Sequence, residues 1–257
     1  MRYMGGKFRQ RRAIADALRP YIDGETTYVE PFLGGAWSFA HVIDTCKPGH
    51  AIGADVNGSL IALWERVVAE GVDWLPTSLE EVEANYHAMK ERDKNGEIDP
   101  ILAWYGTACS FGGSWFTSIA RNRTADGVTG YEGQAKSCEK KAASIRKCPD
   151  LTLLHCSYEE LEIPDGAVVY CDPPYSGGKS RSKVHRFDDF DVDAYYRWVR
   201  ELSQRCVVVC STFDAPEDFV TVHDWGDTRP VQFNGHRHDR NSNPTTEKLI
   251  RYEGGLW

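Results

Sequence analysis

What this sequence has little of narrows its class first. No apolar run approaches the ~20 residues that a bilayer-spanning helix needs, so a membrane-embedded protein is excluded and no membrane partner is expected. The opening Met1-Arg2-Tyr3-Met4-Gly5-Gly6-Lys7 has no apolar stretch behind its positive charges. It is therefore not expected to serve as a secretory signal, and a cytoplasmic location is the expectation. None of the eight cysteines (Cys46, Cys109, Cys138, Cys148, Cys156, Cys171, Cys206 and Cys210) forms a C-x-x-C pair, and several sit in or beside apolar runs. Reduced, mostly buried thiols are expected, and neither a disulfide framework nor a zinc knuckle. Internal repeats and low-complexity tracts are also absent, and no metal site is expected.

The chain that remains has 257 residues, 41% hydrophobic and 26% charged, enough for one sizeable core with a small inserted module. Its net charge of −8 argues at first against nucleic acid, but the basic residues are clustered. Met1–Arg12 holds Arg2, Lys7, Arg9, Arg11 and Arg12 without an acid, and Ser176–Phe187 holds Lys179, Arg181, Lys183 and Arg186 without one. Arg121–Lys147 carries seven basic and three acidic residues. Phosphate contacts need a local positive face, not a basic protein.

Periodicity predicts a helix over Arg9–Leu18, a strand over Thr26–Glu30, a helix from Trp37 to Ile43 and a strand over Ala51–Asp55. The next stretch has a different texture. Ser59–Glu70, Leu79–Arg92, Ile101–Cys109 and Lys136–Arg146 are helix candidates, Gly112–Gly133 reads as loop, and no convincing strand lies before Pro149. Strands return at Leu151–His155, Ala167–Cys171 and Cys206–Cys210, the last preceded by a helix over Val192–Ser203. Leu249–Tyr252 is expected as a terminal edge strand. Unalternating apolar runs suit a sheet buried on both faces. The expected fold is thus α/β, a doubly wound sheet interrupted by a helical module.

Two segments carry the chemistry. In Val168-Val169-Tyr170-Cys171-Asp172-Pro173-Pro174-Tyr175, an apolar strand runs into a carboxylate, two rigid prolines and an aromatic, at the sheet edge where α/β proteins bind ligands. Prolines lack N–H groups, so the loop is stiff and its carbonyls stay available as acceptors. A carboxylate and a carbonyl pointing together can receive the two hydrogens of an exocyclic amine, with Tyr175 stacked on the ring that bears it. In Tyr28-Val29-Glu30-Pro31-Phe32-Leu33-Gly34-Gly35-Ala36, a strand meets a glycine pair that lets a ligand approach the backbone. The spacing is not G-x-G-x-x-G and no Lys-Ser/Thr follows the pair, which weakens dinucleotide and nucleoside-triphosphate readings. Asp55, ending the next strand about twenty residues on, stands where an acid can hold ribose hydroxyls.

In order along the chain, these segments resemble the DNA adenine-N6 methyltransferases of the Dam-like class. Tyr3-Met4-Gly5-Gly6-Lys7 matches an aromatic-x-Gly-Gly-Lys motif and Glu30–Gly34 matches E-P-F-x-G. Asp55-Val56-Asn57-Gly58-Ser59-Leu60-Ile61 matches D-x-N-x-x-L-I, and Asp172–Tyr175 matches D-P-P-Y. Cys156-Ser157-Tyr158 and Thr246-Glu247-Lys248-Leu249-Ile250 are similar to two further family segments.

The resemblance implies a Rossmann-like S-adenosylmethionine-dependent methyltransferase sheet formed by residues 1–60 and 150–257, with residues 61–149 as a helical target-recognition insert. It implies S-adenosylmethionine held by Tyr3, Lys7, Glu30, Phe32, Gly34, Asp55, Ser157, Tyr158 and Asp172, and catalysis by Asp172, Pro173, Pro174 and Tyr175. The substrate implied is double-stranded DNA from which one adenine is turned outward. The partner is DNA alone, with no obligate protein partner, and the enzyme is expected to act as a monomer. Ser114, Trp115, Arg121, Asn122, Arg123, Lys179 and Arg181 are the candidate DNA contacts, since Arg and Asn are the usual readers of guanine and adenine.

Two departures stand out. Gly34-Gly35-Ala36-Trp37 replaces a common G-x-G, and Phe111-Gly112-Gly113-Ser114-Trp115-Phe116 replaces the segment of GATC-reading members, looking more like phage and prophage relatives. GATC specificity is accordingly not carried over. Cytosine-N4 methylation, and a DNA-binding homologue inactivated at Ala36 and Trp37, are the alternatives. Cys148-Pro149 is in the wrong order and place for a cytosine-C5 nucleophile. His236-Arg237-His238-Asp239 reads as a DNA-backbone loop, and Asp188, Asp189 and Asp191 as a helix entry.

Overall fold

The computed structural model describes residues 1–121, 130–174, 190–226 and 246–256. Seven strands form one sheet: β1 (Thr27–Glu30), β2 (His50–Asp55), β3 (Asp150–His155), β4 (Val168–Cys171), β5 (Val207–Thr212), β6 (Phe219–Asp224) and β7 (Lys248–Tyr252). Their spatial order is β3-β2-β1-β4-β5-β7-β6. The first five are parallel, and β7 runs antiparallel between β5 and β6. This is the doubly wound methyltransferase-type sheet. The chain steps outward from β1 through β2 to β3, then returns to place β4 on β1's other side. The switch point therefore lies between the C-terminal ends of β1 and β4.

Strand side chains alternate between two cores. Tyr28, Val168, Tyr170 and Val209 face one, while Val29, Val169, Cys171 and Cys210 face the other. Burial on both faces is why these strands read as continuous apolar runs. The first face is covered by α1 (Arg11–Leu18), α2 (Trp37–Cys46) and α3 (Gly58–Glu70). Three helices that also lie between β2 and β3 add to the same core: α4 (Leu79–Lys94), α5 (Pro100–Thr107) and α6 (Gly130–Ile145). The second face is covered by α7 (Val192–Leu202) and the segment around Tyr158. Asn57, Ser78, Asp99 and Asp191 cap α3, α4, α5 and α7 with their side chains, so Asp191 is a helix entry as expected.

The structure corrects three readings. Leu249–Tyr252 is not an edge strand, because β6 pairs outside it. Most of β6 is exposed and its ladder carries a register shift, so it lacks the apolar run that marks the other strands. The 112–133 stretch is not loop throughout. Phe111–Gly113 forms a short 3-10 turn, and α6 starts at Gly130, because Tyr131 and Ala135 extend the buried stripe of Cys138, Ala142 and Ile145 toward the N-terminus. The first helix begins at Arg11, two residues later than its apolar spacing suggested. All eight cysteines are unpaired and six of them are buried.

Candidate active site

Three strand ends converge at the switch point. Glu30 ends β1, Asp55 ends β2, and Asp172-Pro173-Pro174 follows β4. Beyond β1 the chain turns back through Leu33–Ala36, closed by the Ala36 N–H on the Leu33 carbonyl at 2.9 Å. Gly34 sits at φ +46°, a conformation that favours glycine. The Gly34 N–H donates to Asp55 Oδ2 at 2.8 Å, and the Asn57 N–H donates to Asp55 Oδ1 at 2.9 Å. Both oxygens of Asp55 are thereby aimed by the backbone. Burial raises its pKa, and the two backbone bonds oppose that rise.

The N-terminal segment closes over this turn. A Cβ at Gly34 would stand 2.8 Å from Tyr3 Cε1, and one at Gly35 would stand 2.7 Å from Tyr3 Cβ. The glycine pair is thus a cradle that Tyr3 itself fills, and a side chain at either position would displace it. Tyr3 is held protonated by burial, with the Asp55 and Asp172 charges adding to the effect. Behind it, the Lys7 ammonium lies 2.7 Å from Asp172 Oδ1 and 2.9 Å from Glu247 Oε1, and donates to the Gly5 carbonyl at 3.2 Å. Burial pulls the Lys7 pKa down, but the two carboxylates outweigh it and the net shift is upward. Glu247 Oε2 accepts from Gln10 Nε2 at 3.1 Å.

Glu30 is buried, accepting from the Tyr28 hydroxyl at 2.5 Å and from Ser38 Oγ at 3.0 Å. Burial pushes its pKa up to about 8, and the Asp172 charge adds to the rise. On the sheet's other face Phe32 packs on Tyr158 (ring centroids 5.5 Å apart) and Tyr195 (5.9 Å), forming an aromatic wall. Ser157 is spent in a reciprocal cap: its N–H donates to Glu160 Oε2 and its Oγ accepts from the Glu160 N–H.

The structure therefore gathers Tyr3, Lys7, Glu30, Gly34, Asp55 and Asp172–Pro174 around one sheet edge, with Phe32 and Tyr158 flanking it. Ser114 donates to Met4 Sδ at 2.9 Å and Trp115 Nε1 donates to Asp93 at 3.2 Å, so both are engaged inside the protein. Arg121 pairs with Glu83 on the surface at 2.6 Å. Tyr175, Lys179, Arg181, Asn122, Arg123 and the His236–Asp239 run lie outside the described residues. Ala36 ends the turn and Trp37 opens α2. Ala36 takes φ +52°, and the Trp37 ring packs on Phe8 at 4.7 Å.

Sequence reading placed Glu247 in a family segment without giving it a role, and missed Gln10, Trp64 and Lys141. Trp64 Nε1 donates to the Gly34 carbonyl at 2.9 Å, and Lys141 Nζ donates to the Gly35 carbonyl. For Lys141 a signal existed: it falls three residues after Cys138 and four before Ile145, inside the apolar stripe of α6.

A family model for D12 class N6 adenine-specific DNA methyltransferases matches residues 3–197, a span holding the three strand ends that converge at the switch point. The chain belongs to this family. It is also 27% identical over 208 residues to the Retron Ec67 DNA adenine methylase of Escherichia coli, covering 76% of this chain and 70% of that one. Family membership assigns methyl transfer to adenine N6 in DNA and removes cytosine-N4 as the target. As a D12 class chain, it presents Asp172-Pro173-Pro174 at the position where its Glu30-Pro31-Phe32-Leu33-Gly34 turn and N-terminal Gly-Gly-Lys meet. No helix among the described residues is long and apolar enough to cross a membrane.

Proposed function

We propose that this chain binds S-adenosylmethionine against the outer edge of the Tyr3–Gly34 cradle, beside Asp55, and methylates an adenine turned out of duplex DNA against Asp172 and the prolines. The donor set suits that cofactor. Asp55 offers carboxylate oxygens for ribose hydroxyls, Phe32 and Tyr158 offer rings to a purine, and Asp172 and Glu247, two carboxylates sharing the single Lys7 ammonium, leave a net negative charge for a sulfonium. When bound, S-adenosylmethionine supplies a methyl group activated for nucleophilic attack.

The chain's own residues prepare the amine. Asp172 and the Pro173 carbonyl accept the two N6 hydrogens, which draws the nitrogen lone pair out of conjugation with the ring and frees it for alkylation. Tyr175 stacks on the adenine. No strong base is needed, because the methylated nitrogen is itself very acidic. Catalysis is chiefly positioning and exclusion of water. Adenine must leave the helix for its N6 to reach such a pocket.

Residues 1–60 and 150–257 form the catalytic unit in this reading, and 61–149 the recognition module. The enzyme works as a monomer in the cytoplasm. The observation that carries the reading is Asp172 at the switch point, 2.7 Å from Lys7 and beside the Gly34 turn. Asp172→Ala should abolish turnover, whereas S-adenosylmethionine binding, read by calorimetry, should be weakened but retained. Retained turnover would overturn the assignment.

A further inference from the structure

Lys141 is buried, with 3% of its surface exposed, yet among the described residues no carboxylate pairs with it. The groups facing it are two indoles, one carbonyl, the thiol of Cys138 and the α-amino group of Met1. Its ammonium lies 4.3 Å from the Trp37 ring and 4.5 Å from the Trp64 ring, and donates to the Gly35 carbonyl. Burial lowers its pKa to about 8. A buried cation without a counter-ion costs stability, and two aromatic faces offset only part of that. A methionine would fill the same space in α6 at less cost. The residue therefore contributes something other than stability.

What it touches indicates what that is. Gly34 and Gly35 form the turn that Tyr3 closes over, and both carbonyls are held by side chains reaching in from helices. Trp64 of α3 takes the Gly34 oxygen at 2.9 Å, and Lys141 of α6 takes the Gly35 oxygen. A trans peptide points its carbonyl and the following N–H in opposite directions. Holding the Gly34 oxygen therefore directs the Gly35 N–H away from Trp64, where no described residue accepts it. Holding the Gly35 oxygen fixes the next plane, whose Ala36 N–H closes the turn on Leu33. Neither glycine has a side chain to hold these planes, so the helices must.

The same face of α6 also grips the N-terminal segment. The Arg2 N–H donates to Gln134 Oε1, and the Met1 amine donates to Ser137 Oγ at 2.6 Å. Residues 134, 137, 138 and 141 recur at helical spacing along that face. One helix from the stretch between β2 and β3 thus contacts both halves of the cradle.

We propose that Lys141 is a positioning residue for the methyl-donor pocket. With Trp64 it sets the peptide planes of the Gly34–Gly35 turn, so the seating of α6 governs how tightly the donor is held. This rests on the reading that the turn faces S-adenosylmethionine.

The test is calorimetric titration of S-adenosylmethionine into the full chain, with thermal unfolding of each ligand-free variant beside it. Lys141→Met should raise the dissociation constant about tenfold, the value of one charged hydrogen bond. Its melting temperature should be equal to or above that of the wild type. A purely structural role predicts the reverse pairing, a lower melting temperature with affinity kept. Trp64→Phe keeps a ring and loses only the donor to Gly34, so it should weaken binding in the same direction, and it decides the matter if Lys141→Met does not fold. Either folded variant binding like wild type, or affinity lost only in step with melting temperature, overturns the inference. A wild-type chain that takes up no S-adenosylmethionine fails the functional reading itself, whereas variant and wild type binding equally well fail only the role of Lys141.

Discussion

The Lys7 ammonium stands 2.7 Å from Asp172, tying the N-terminal Gly-Gly-Lys run to the loop after β4. Glu247 and the Gly5 carbonyl take its other donor directions, so Lys7 holds protein groups in place and does not simply await a ligand. Residues matched to a motif from both ends of the chain and the middle meet at one ammonium.

Removing that ammonium leaves two carboxylates facing each other. Lys7→Met should therefore cost about 3 kcal/mol of stability in urea unfolding, as for other broken buried pairs. Adding Glu247→Gln removes one of the stranded charges and should restore part of the loss. A double variant less stable than Lys7→Met alone would contradict this electrostatic account.

The cradle makes its own prediction. A Cβ at Gly35 would meet Tyr3 Cβ at 2.7 Å, so Gly35→Ala must move either Tyr3 or the turn. S-adenosylmethionine affinity should fall by about tenfold or more, as read by calorimetry. Gly24→Ala, which meets nothing within 4 Å and lies far from the site in the turn before β1, serves as the control. Equal affinity in both variants would show that the turn does not face the donor.

Glu30 predicts a pH dependence. Its folded-state pKa of about 8 lies above the ordinary carboxyl value of 4.5, so the native chain keeps a proton that the unfolded chain releases. This group's contribution to stability accordingly falls as pH rises from about 4.5 to about 8. Each pK unit is worth about 1.4 kcal/mol, enough to measure. Glu30→Gln keeps the contacts with Tyr28 and Ser38 without a titrating proton and should flatten that slope. A variant whose melting temperature follows pH as steeply as wild type would assign the slope to other groups.

Much of this was legible in the residues themselves. β1, β2, β4 and β5 announce themselves because burial on both faces demands continuous apolar runs, and Asp55 and Asp172 mark their ends. β6 does not, since Thr221, Val222, His223 and Asp224 are largely exposed and its pairing partner arrives about thirty residues later. The roles of Lys7 and Glu247 were hidden for a related reason: a salt bridge between distant residues leaves no periodic trace. Lys141 left a faint trace, a lysine inside an apolar stripe, but its hydrogen-bond acceptor is a backbone carbonyl, which no side-chain pattern reports. The αL conformation of Ala36 was equally silent, because alanine does not advertise positive φ as glycine does.

The most direct measurement incubates the purified chain with methyl-labelled S-adenosylmethionine and mixed-sequence duplex DNA, then digests the DNA to nucleosides. The account predicts label in N6-methyladenine, and none with Asp172→Ala. Label in another nucleoside, or none from a folded wild-type chain, would contradict it.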